Sequence, residues 1–294
     1  MEPSRGKKPA WLKVVAPGGA GYTKIKGTLG QLKLHTVCEE ARCPNVGECW
    51  REGTATVMVL GEVCTRGCRF CAVTSGNPKG AVDVNEPVHV ARAVTELGLR
   101  YVVLTMVNRD DLPDGGAKHV AETVRQLRAA ESALMIEALV GDFGGDQAAI
   151  DTVLGARPDV FAHNVEVVQR ISRHVRDARC DYVGSLQVLR HASRHRAQGM
   201  LVKSSLMVGA GERDDEVQEA LADLRAAGVD VVTIGQYLRP SAKHLAVDRY
   251  VEPSRFDAYR KVGERMGFRF VASGPLVRSS YRAAEAFLRA ARPG

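Results

Sequence analysis

Six of the seven cysteines in this chain, Cys38, Cys43, Cys49, Cys64, Cys68 and Cys71, fall within 34 of its 294 residues, and only Cys180 lies elsewhere. Each physical reason for such clustering imposes a different fold. Three disulfides would staple a small secreted domain, but a chain of this length buries a core of its own. Residues 1–17 offer no signal-peptide core either, because Lys13 interrupts their one apolar stretch. Metal binding is the stronger reading, and it asks the fold to hold short cysteine loops at fixed spacing.

That spacing discriminates between metals. The cysteines form two triplets, C-x4-C-x5-C at Cys38, Cys43 and Cys49, and C-x3-C-x2-C at Cys64, Cys68 and Cys71. Structural zinc prefers paired C-x2-C knuckles, often with histidines, that close a tetrahedron. A 4Fe-4S cluster has four corners that each want a soft thiolate. A loop with three cysteines holds three of them and leaves one iron open. Iron-sulfur binding is therefore favoured over zinc for both triplets, and an open iron is a place for reaction.

Around the triplets the chain alternates between two periodicities. Apolar, β-branched runs at 54–60, 101–105, 134–138, 160–163, 201–207 and 230–234 predict six strands. Amphipathic stretches at 88–97, 117–130, 146–154, 185–198 and 214–227 predict helices between them, with Gly98 and Gly228 as stops. This alternation implies an α/β fold with a parallel sheet and right-handed crossovers, favoured here as a partial barrel over a doubly wound sheet. Functional groups in such folds collect at the C-terminal strand ends, which here carry residues 64–71, 108–111, 163–166 and 209–212. These turns are expected to share one mouth. A helix near 253–266 and a short strand at 268–272 follow, and residues 1–33 read as an irregular arm.

Composition adds exclusions. With 45% apolar and 26% charged residues the chain is an ordinary folded protein, and its net charge of +7 is too diffuse to name a partner. No apolar run approaches the roughly 20 residues a membrane span needs, so a soluble, cytoplasmic protein is expected.

The loop CTRGCRFC (64–71), with Phe70 just before its last cysteine, matches the signature of radical S-adenosylmethionine (SAM) enzymes. Five further motifs occur with it: TVCEEARCPNVGECW (36–50), NRDDLPDGGA (108–117), HNVE (163–166), TIGQYLRPS (233–241) and VASGPLVRSSY (271–281). Together they make the chain closely resemble the lipoyl synthase family of that superfamily, over about residues 29–281. It departs from the family pattern at Met106, where a serine is usual, and at Ala162 and Val167, where polar residues are common.

The resemblance implies a radical SAM (β/α)6 partial barrel at 54–235. An N-terminal extension (1–53) and a C-terminal extension (236–294) would carry an auxiliary cluster. Cys64, Cys68 and Cys71 would hold one 4Fe-4S cluster whose fourth iron is chelated by SAM. An electron passed to the sulfonium releases a deoxyadenosyl radical that abstracts hydrogen from an unactivated carbon. Cys38, Cys43 and Cys49 would hold the auxiliary 4Fe-4S cluster, with Ser280 of the RSSY motif as its fourth ligand. An oxygen on a thiophilic iron binds less durably than a thiolate, which makes that cluster a consumable sulfur source. The implied reaction inserts two sulfur atoms, at carbons six and eight, into an octanoyl group on a lysine of a lipoyl-carrier protein.

Other residues are assigned beside these. Arg278 would shield or neutralise the auxiliary cluster. Phe70, Asn108, Asp110, Asn164, Glu166, Lys203 and Glu212 are expected around SAM, with glycines of the 204–211 stretch allowing close approach of adenosine. Arg109 and Asp111 share the 108–111 turn, whose competing reading is a solvated loop. His35, His163 and His244 are left out of catalysis, and Cys180 is expected to pack as a small apolar side chain. The implied partners are octanoylated carrier domains of 2-oxoacid dehydrogenase acyltransferases and the glycine-cleavage H protein, a low-potential electron donor and iron-sulfur assembly machinery. Neither nucleic acid nor membrane is expected. Two rivals use part of the pattern. A radical SAM methylthiotransferase acting on tRNA would leave RSSY without a purpose and lacks an appended RNA-binding domain. A zinc-bound nucleic-acid-binding module would leave the six-strand alternation unexplained.

Overall fold

In a computed structural model of the chain, residues 8–14, 20–32, 34–36, 43, 45–51 and 53–280 are described. Cys38 and Tyr281 lie outside the described residues.

One eight-stranded sheet organises the molecule. Its strands are β1 (His35–Thr36), β2 (Thr54–Val59), β5 (Tyr101–Met106), β6 (Met135–Leu139), β7 (Val160–Ala162), β8 (Leu201–Val208), β9 (Val231–Gln236) and β10 (Phe270–Gly274), in that spatial order. From β2 to β10 all neighbours are parallel, while β1 runs antiparallel on β2. The two end strands do not pair with each other, so the six βα units form an open partial barrel, prolonged by one strand at each edge.

Register explains how the strands are used. Parallel partners point to the same face, which puts Thr56, Val103, Glu137 and Val160 together, and likewise Ala162, Lys203 and Val231. The opposite face, with Val57, Val102, Leu104, Ile136, Phe161, Val202, Val232 and Ile234, packs in one continuous core with Val90, Val124, Val153, Leu189 and Leu224 from the helices. Strands covered on both faces read as unbroken apolar runs, hence the full burial of Thr54–Val59 and Val231–Gln236. The face turned from the helices carries smaller apolar clusters and a buried polar set. There Lys203 Nζ donates to both Glu137 oxygens at 2.8 and 2.9 Å, and the Tyr101 hydroxyl donates to Glu137 at 2.9 Å.

Two expectations need correction. The segment read as an irregular arm contains the helix Ala20–Gln31. Its three glycines hide the helical signal, and the burial of Ile25 and Leu29 against the main core stabilises it instead. Between β7 and β8 the predicted single helix is preceded by a second, Gln169–Val175, before Tyr182–His195. Seven residues burying Ile171, Ser172 and Val175 are too few for a clear periodicity.

Candidate functional site

The second cysteine triplet sits in the loop that leaves β2 at its C-terminal end. Two short strands, β3 (Val63–Cys64) and β4 (Thr74–Ser75), pair in parallel and pinch the loop at its base, where Gly76 N donates to Cys64 O at 2.9 Å. Neighbouring elements then hold its backbone. Thr65 N donates to Asn108 O, Arg69 N to Val175 O, Leu245 N to Arg69 O and Cys71 N to Cys68 O, all at 2.8–3.1 Å. His244 adds a ring nitrogen 3.0 Å from Cys71 O.

Backbone N–H groups aim at the sulfurs themselves. Asn108 N and Arg66 N approach Cys64 Sγ at 3.3 and 3.4 Å, and Asp177 N approaches Cys68 Sγ at 3.3 Å. Donors so placed suit thiolates, and hydrogen bonds to sulfur tune the potential of an iron-sulfur centre. Burial, opposed by the Val73 N–H and reinforced by the charges of Glu166 and Cys64, pushes the Cys71 thiol up to about 11. Such a thiol gives up its proton to a metal rather than to water. The described cysteines are all free of disulfides. Three thiols within one eight-residue loop, with N–H groups directed at them, fit an iron-sulfur cluster.

A buried arginine inside the loop locks it to the barrel. Arg66, 4% exposed, makes a two-pronged pair with Asp142 at 2.6 and 2.7 Å and contacts Asp110 at 2.8 and 3.1 Å. Its Nη1 also lies 3.4 Å from Cys180 Sγ, which is 4.0 Å from Cys68 Sγ. Cys180 is buried as expected, yet it faces a guanidinium and a second thiol rather than a purely apolar pocket. Sequence reasoning passed over Arg66, the one charged side chain set between Cys64 and Cys68. Asp142 gave no local signal, because it meets Arg66 only through the barrel.

The segment at Cys43 and Asn45 and the chain entering the RSSY motif approach one another at the C-terminal end of β9. Asn45 Nδ2, two residues past Cys43, donates to Leu276 O at 2.6 Å. The chain at 277 crosses the C-terminal end of β9 so closely that a Cβ on Gly235 would overlap the Val277 carbonyl. Arg278 Nη1 donates to Val277 O at 2.6 Å and Gln236 O at 3.3 Å, while its buried Nη2 has no partner among the described residues. Burial pulls this guanidinium below its ordinary value, with the Cys43 sulfur pulling the other way. Burial likewise pushes the Cys43 thiol up. An orphaned buried N–H beside a cysteine is costly unless an anionic group completes it, as a thiolate-ligated cluster would. Ser280 follows two residues later, in a turn that ends the described chain.

Comparison with known proteins decides the family. The model of the Radical SAM superfamily matches residues 58–235, and that of the N-terminal domain of lipoyl synthase matches residues 2–43. Lipoyl synthase of Sorangium cellulosum is 64% identical over 295 aligned positions, covering 96% of this chain and 79% of that protein. This chain belongs to the lipoyl synthase family. The lipoyl synthase of Thermus thermophilus is 55% identical over 98% of the chain and 89% of that protein, and the one of Anaeromyxobacter dehalogenans 58% over 96% of both. Among solved structures, methylornithine synthase superposes with a TM-score of 0.56 at 15% identity over 86% of each chain. A maturase of the FeFe-hydrogenase gives 0.58 at 11% identity over 93% of this chain and 72% of that one. At such identities these two speak for the fold alone. Radical SAM membership brings one 4Fe-4S cluster and SAM as cofactors.

Within this lipoyl synthase framework the remaining expected site residues fall into two groups. Phe70 packs half-buried against the core beside Cys71, and Asn108 offers its N–H to Cys64. Glu166 lies close enough to Cys71 for its charge to be felt there, and burial pushes its carboxyl up while Arg176 and the Asn164 side chain pull it down. Its φ of 67° is unusual for a non-glycine residue. Bonds to β8, from its N–H to Ser205 O at 3.2 Å and from Met207 N to its carbonyl at 2.7 Å, hold it there. The second group is engaged with the protein itself. Asp110 binds Arg66 and Thr65, Lys203 binds Glu137, and Glu212 accepts from the N–H groups of Gly209 and Ala210 at 2.7 and 2.9 Å. A Cβ on Gly209 would overlap the Gln236 amide and the Arg249 carbonyl, so the close approach there is made by protein.

The 108–111 turn is solvated only in part: Asp110 is exposed, but its neighbour is not. Arg109 is 2% exposed and donates to both Asp111 oxygens and to Leu60 O and Ala81 O. His163 is buried, and burial pulls its imidazole down to about 4, so it stays neutral with its Nδ1 proton on Val140 O at 2.9 Å.

Proposed function

We propose that the chain inserts two sulfur atoms, at carbons six and eight, into an octanoyl group borne by a lysine of a lipoyl-carrier protein. The observation that carries this reading is a pair of cysteine sets, one in the loop that leaves the C-terminal end of β2, the other tied at Asn45 and Cys43 to the segment entering RSSY, which crosses the C-terminal end of β9. When bound, a 4Fe-4S cluster with SAM supplies the hydrogen-abstracting radical, and an auxiliary 4Fe-4S cluster supplies sulfur.

Cys64, Cys68 and Cys71 would hold the first group, pre-organised by N–H groups of Arg66 and Asn108 on Cys64, of Asp177 on Cys68 and of Val73 on Cys71. Phe70, Asn108, Asn164 and Glu166 border the SAM site directly. Asp110, Lys203 and Glu212 shape it by holding the turns that line it, because their charged atoms are already paired within the protein. Cys38, Cys43, Cys49 and Ser280 bind the auxiliary group, and the Arg278 guanidinium, buried and one N–H short, neutralises it. On this reading residues 1–53 and 236–294 act together as the auxiliary-cluster unit around a barrel at 54–235. Octanoylated 2-oxoacid dehydrogenase acyltransferase domains and the glycine-cleavage H protein are the substrates. A low-potential donor provides electrons, and iron-sulfur assembly machinery restores the consumed cluster. No helix among the described residues is long and apolar enough to cross a membrane.

Ser280→Ala tests the auxiliary assignment. It leaves the barrel loop untouched, so reductive SAM cleavage should persist, while the auxiliary cluster becomes unstable and sulfur insertion falls. A Ser280→Ala protein that builds both clusters and makes full product removes Ser280 from the ligand set.

A further inference from the structure

Outside the mouth, two helices of the outer layer bring metal-binding side chains together. Asp151 projects from the helix Gln147–Gly155, and His191 and His195 stand one turn apart on the helix Tyr182–His195 that packs beside it. One ligand atom from each lies within 4.8 Å of the others. His191 Nε2 is 2.6 Å from Asp151 Oδ1, and the two imidazoles stack with centroids 4.2 Å apart. His195 Nδ1 lies 3.0 Å from the His191 carbonyl, which can only accept, so Nδ1 carries the proton and Nε2 keeps its lone pair. A backbone carbonyl that fixes the imidazole tautomer in this way is what metal-ligating histidines usually have behind them.

We propose that Asp151, His191 and His195 form a binding site for one divalent transition-metal ion, zinc being the ion they suit best. Two imidazoles and one carboxylate make a mixed nitrogen and oxygen set, which selects zinc-like ions over magnesium or calcium. Ligation through His191 Nε2 puts that imidazole's proton on Nδ1, and the ion takes the place of the His191–Asp151 hydrogen bond. Tetrahedral ligands at about 2.0–2.1 Å stand about 3.3 Å apart, so small side-chain rotations close the set without moving either helix. Asp151 is 53% exposed at its side chain, and solvent completes the coordination on that side. The ion clips together two helices that cover the strands β6 to β8, so it stabilises the barrel wall and does not depend on the cysteine clusters.

The test uses the full-length, anaerobically reconstituted protein equilibrated with micromolar zinc, desalted and analysed for zinc by mass spectrometry, beside its His191→Ala and His195→Ala variants. The expected result is about one zinc per chain in the parent, an affinity at least about tenfold weaker in each variant, and a zinc-dependent rise of the unfolding temperature in the parent alone. His195 is exposed, so its variant folds, and unchanged iron content checks this. Zinc misplaced at cysteines survives both histidine substitutions. Equal zinc in parent and His195→Ala, or no retained zinc in the parent, overturns the proposal.

Discussion

Cys71→Ala will halve the iron of the reconstituted protein, from about eight to about four atoms per chain, and reduce SAM cleavage to background. The loop will keep its shape, because the bonds that hold it do not use the Cys71 side chain: the main-chain bonds Thr65 to Asn108, Arg69 to Val175 and Gly76 to Cys64 remain, as does the Arg66 pair with Asp142. Loss of function then reports loss of a ligand rather than loss of the loop. Cys180→Ala is the matched control. Its thiol is buried beside the same loop, 4.0 Å from Cys68 Sγ, but it belongs to neither triplet. It should keep the full iron content and cleave SAM. Iron analysis and deoxyadenosine release check both, and a Cys71→Ala protein that retained eight irons would remove Cys71 from the ligand set.

Arg66→Met will lower stability by about 3–5 kcal/mol, a fall of roughly 10 °C in the unfolding temperature, because it strands the buried carboxylate of Asp142. Asp142 is only 10% exposed at its side chain and loses both of its hydrogen bonds to Arg66. Asp110 keeps Thr65 and Arg179. The substitution also unlatches the segment between Cys64 and Cys68 from the barrel, so cluster binding weakens along with the fold. Pairing it with Asp142→Asn separates the two effects. The double variant no longer buries an unpaired carboxylate and should recover much of the stability, while cluster retention stays impaired. Melting curves and iron retention on dilution measure them, and a single variant as stable as the parent would contradict the role given to Arg66.

The six strands of the barrel were legible because burial on both faces leaves each a largely apolar, β-branched run, broken only where Glu137 enters β6 and Lys203, Ser204 and Ser205 enter β8, or by single threonine, glycine or glutamine positions. The cysteine loop was legible because metal ligation leaves its spacing in the sequence itself. What lay hidden was long-range. Arg66 finds Asp142 across the barrel, Asn45 reaches Leu276 from the opposite end of the chain, and neither partner carries a local mark. Lys203 shows the converse. At a strand's centre it reads as a functional cation, yet register places it by Glu137 in a fully buried pair. The helix Ala20–Gln31 was missed because its glycines depress propensity, and tertiary burial of Ile25 and Leu29 outweighs that.

The most direct measurement incubates the anaerobically reconstituted protein with SAM, a low-potential reductant and an octanoyl-lysyl carrier peptide, and follows the peptide by mass spectrometry while counting iron. The proposed two-cluster reading predicts a peptide that gains two sulfurs, with auxiliary iron lost in step with product. SAM cleaved at full iron occupancy with no sulfur transferred would contradict the account.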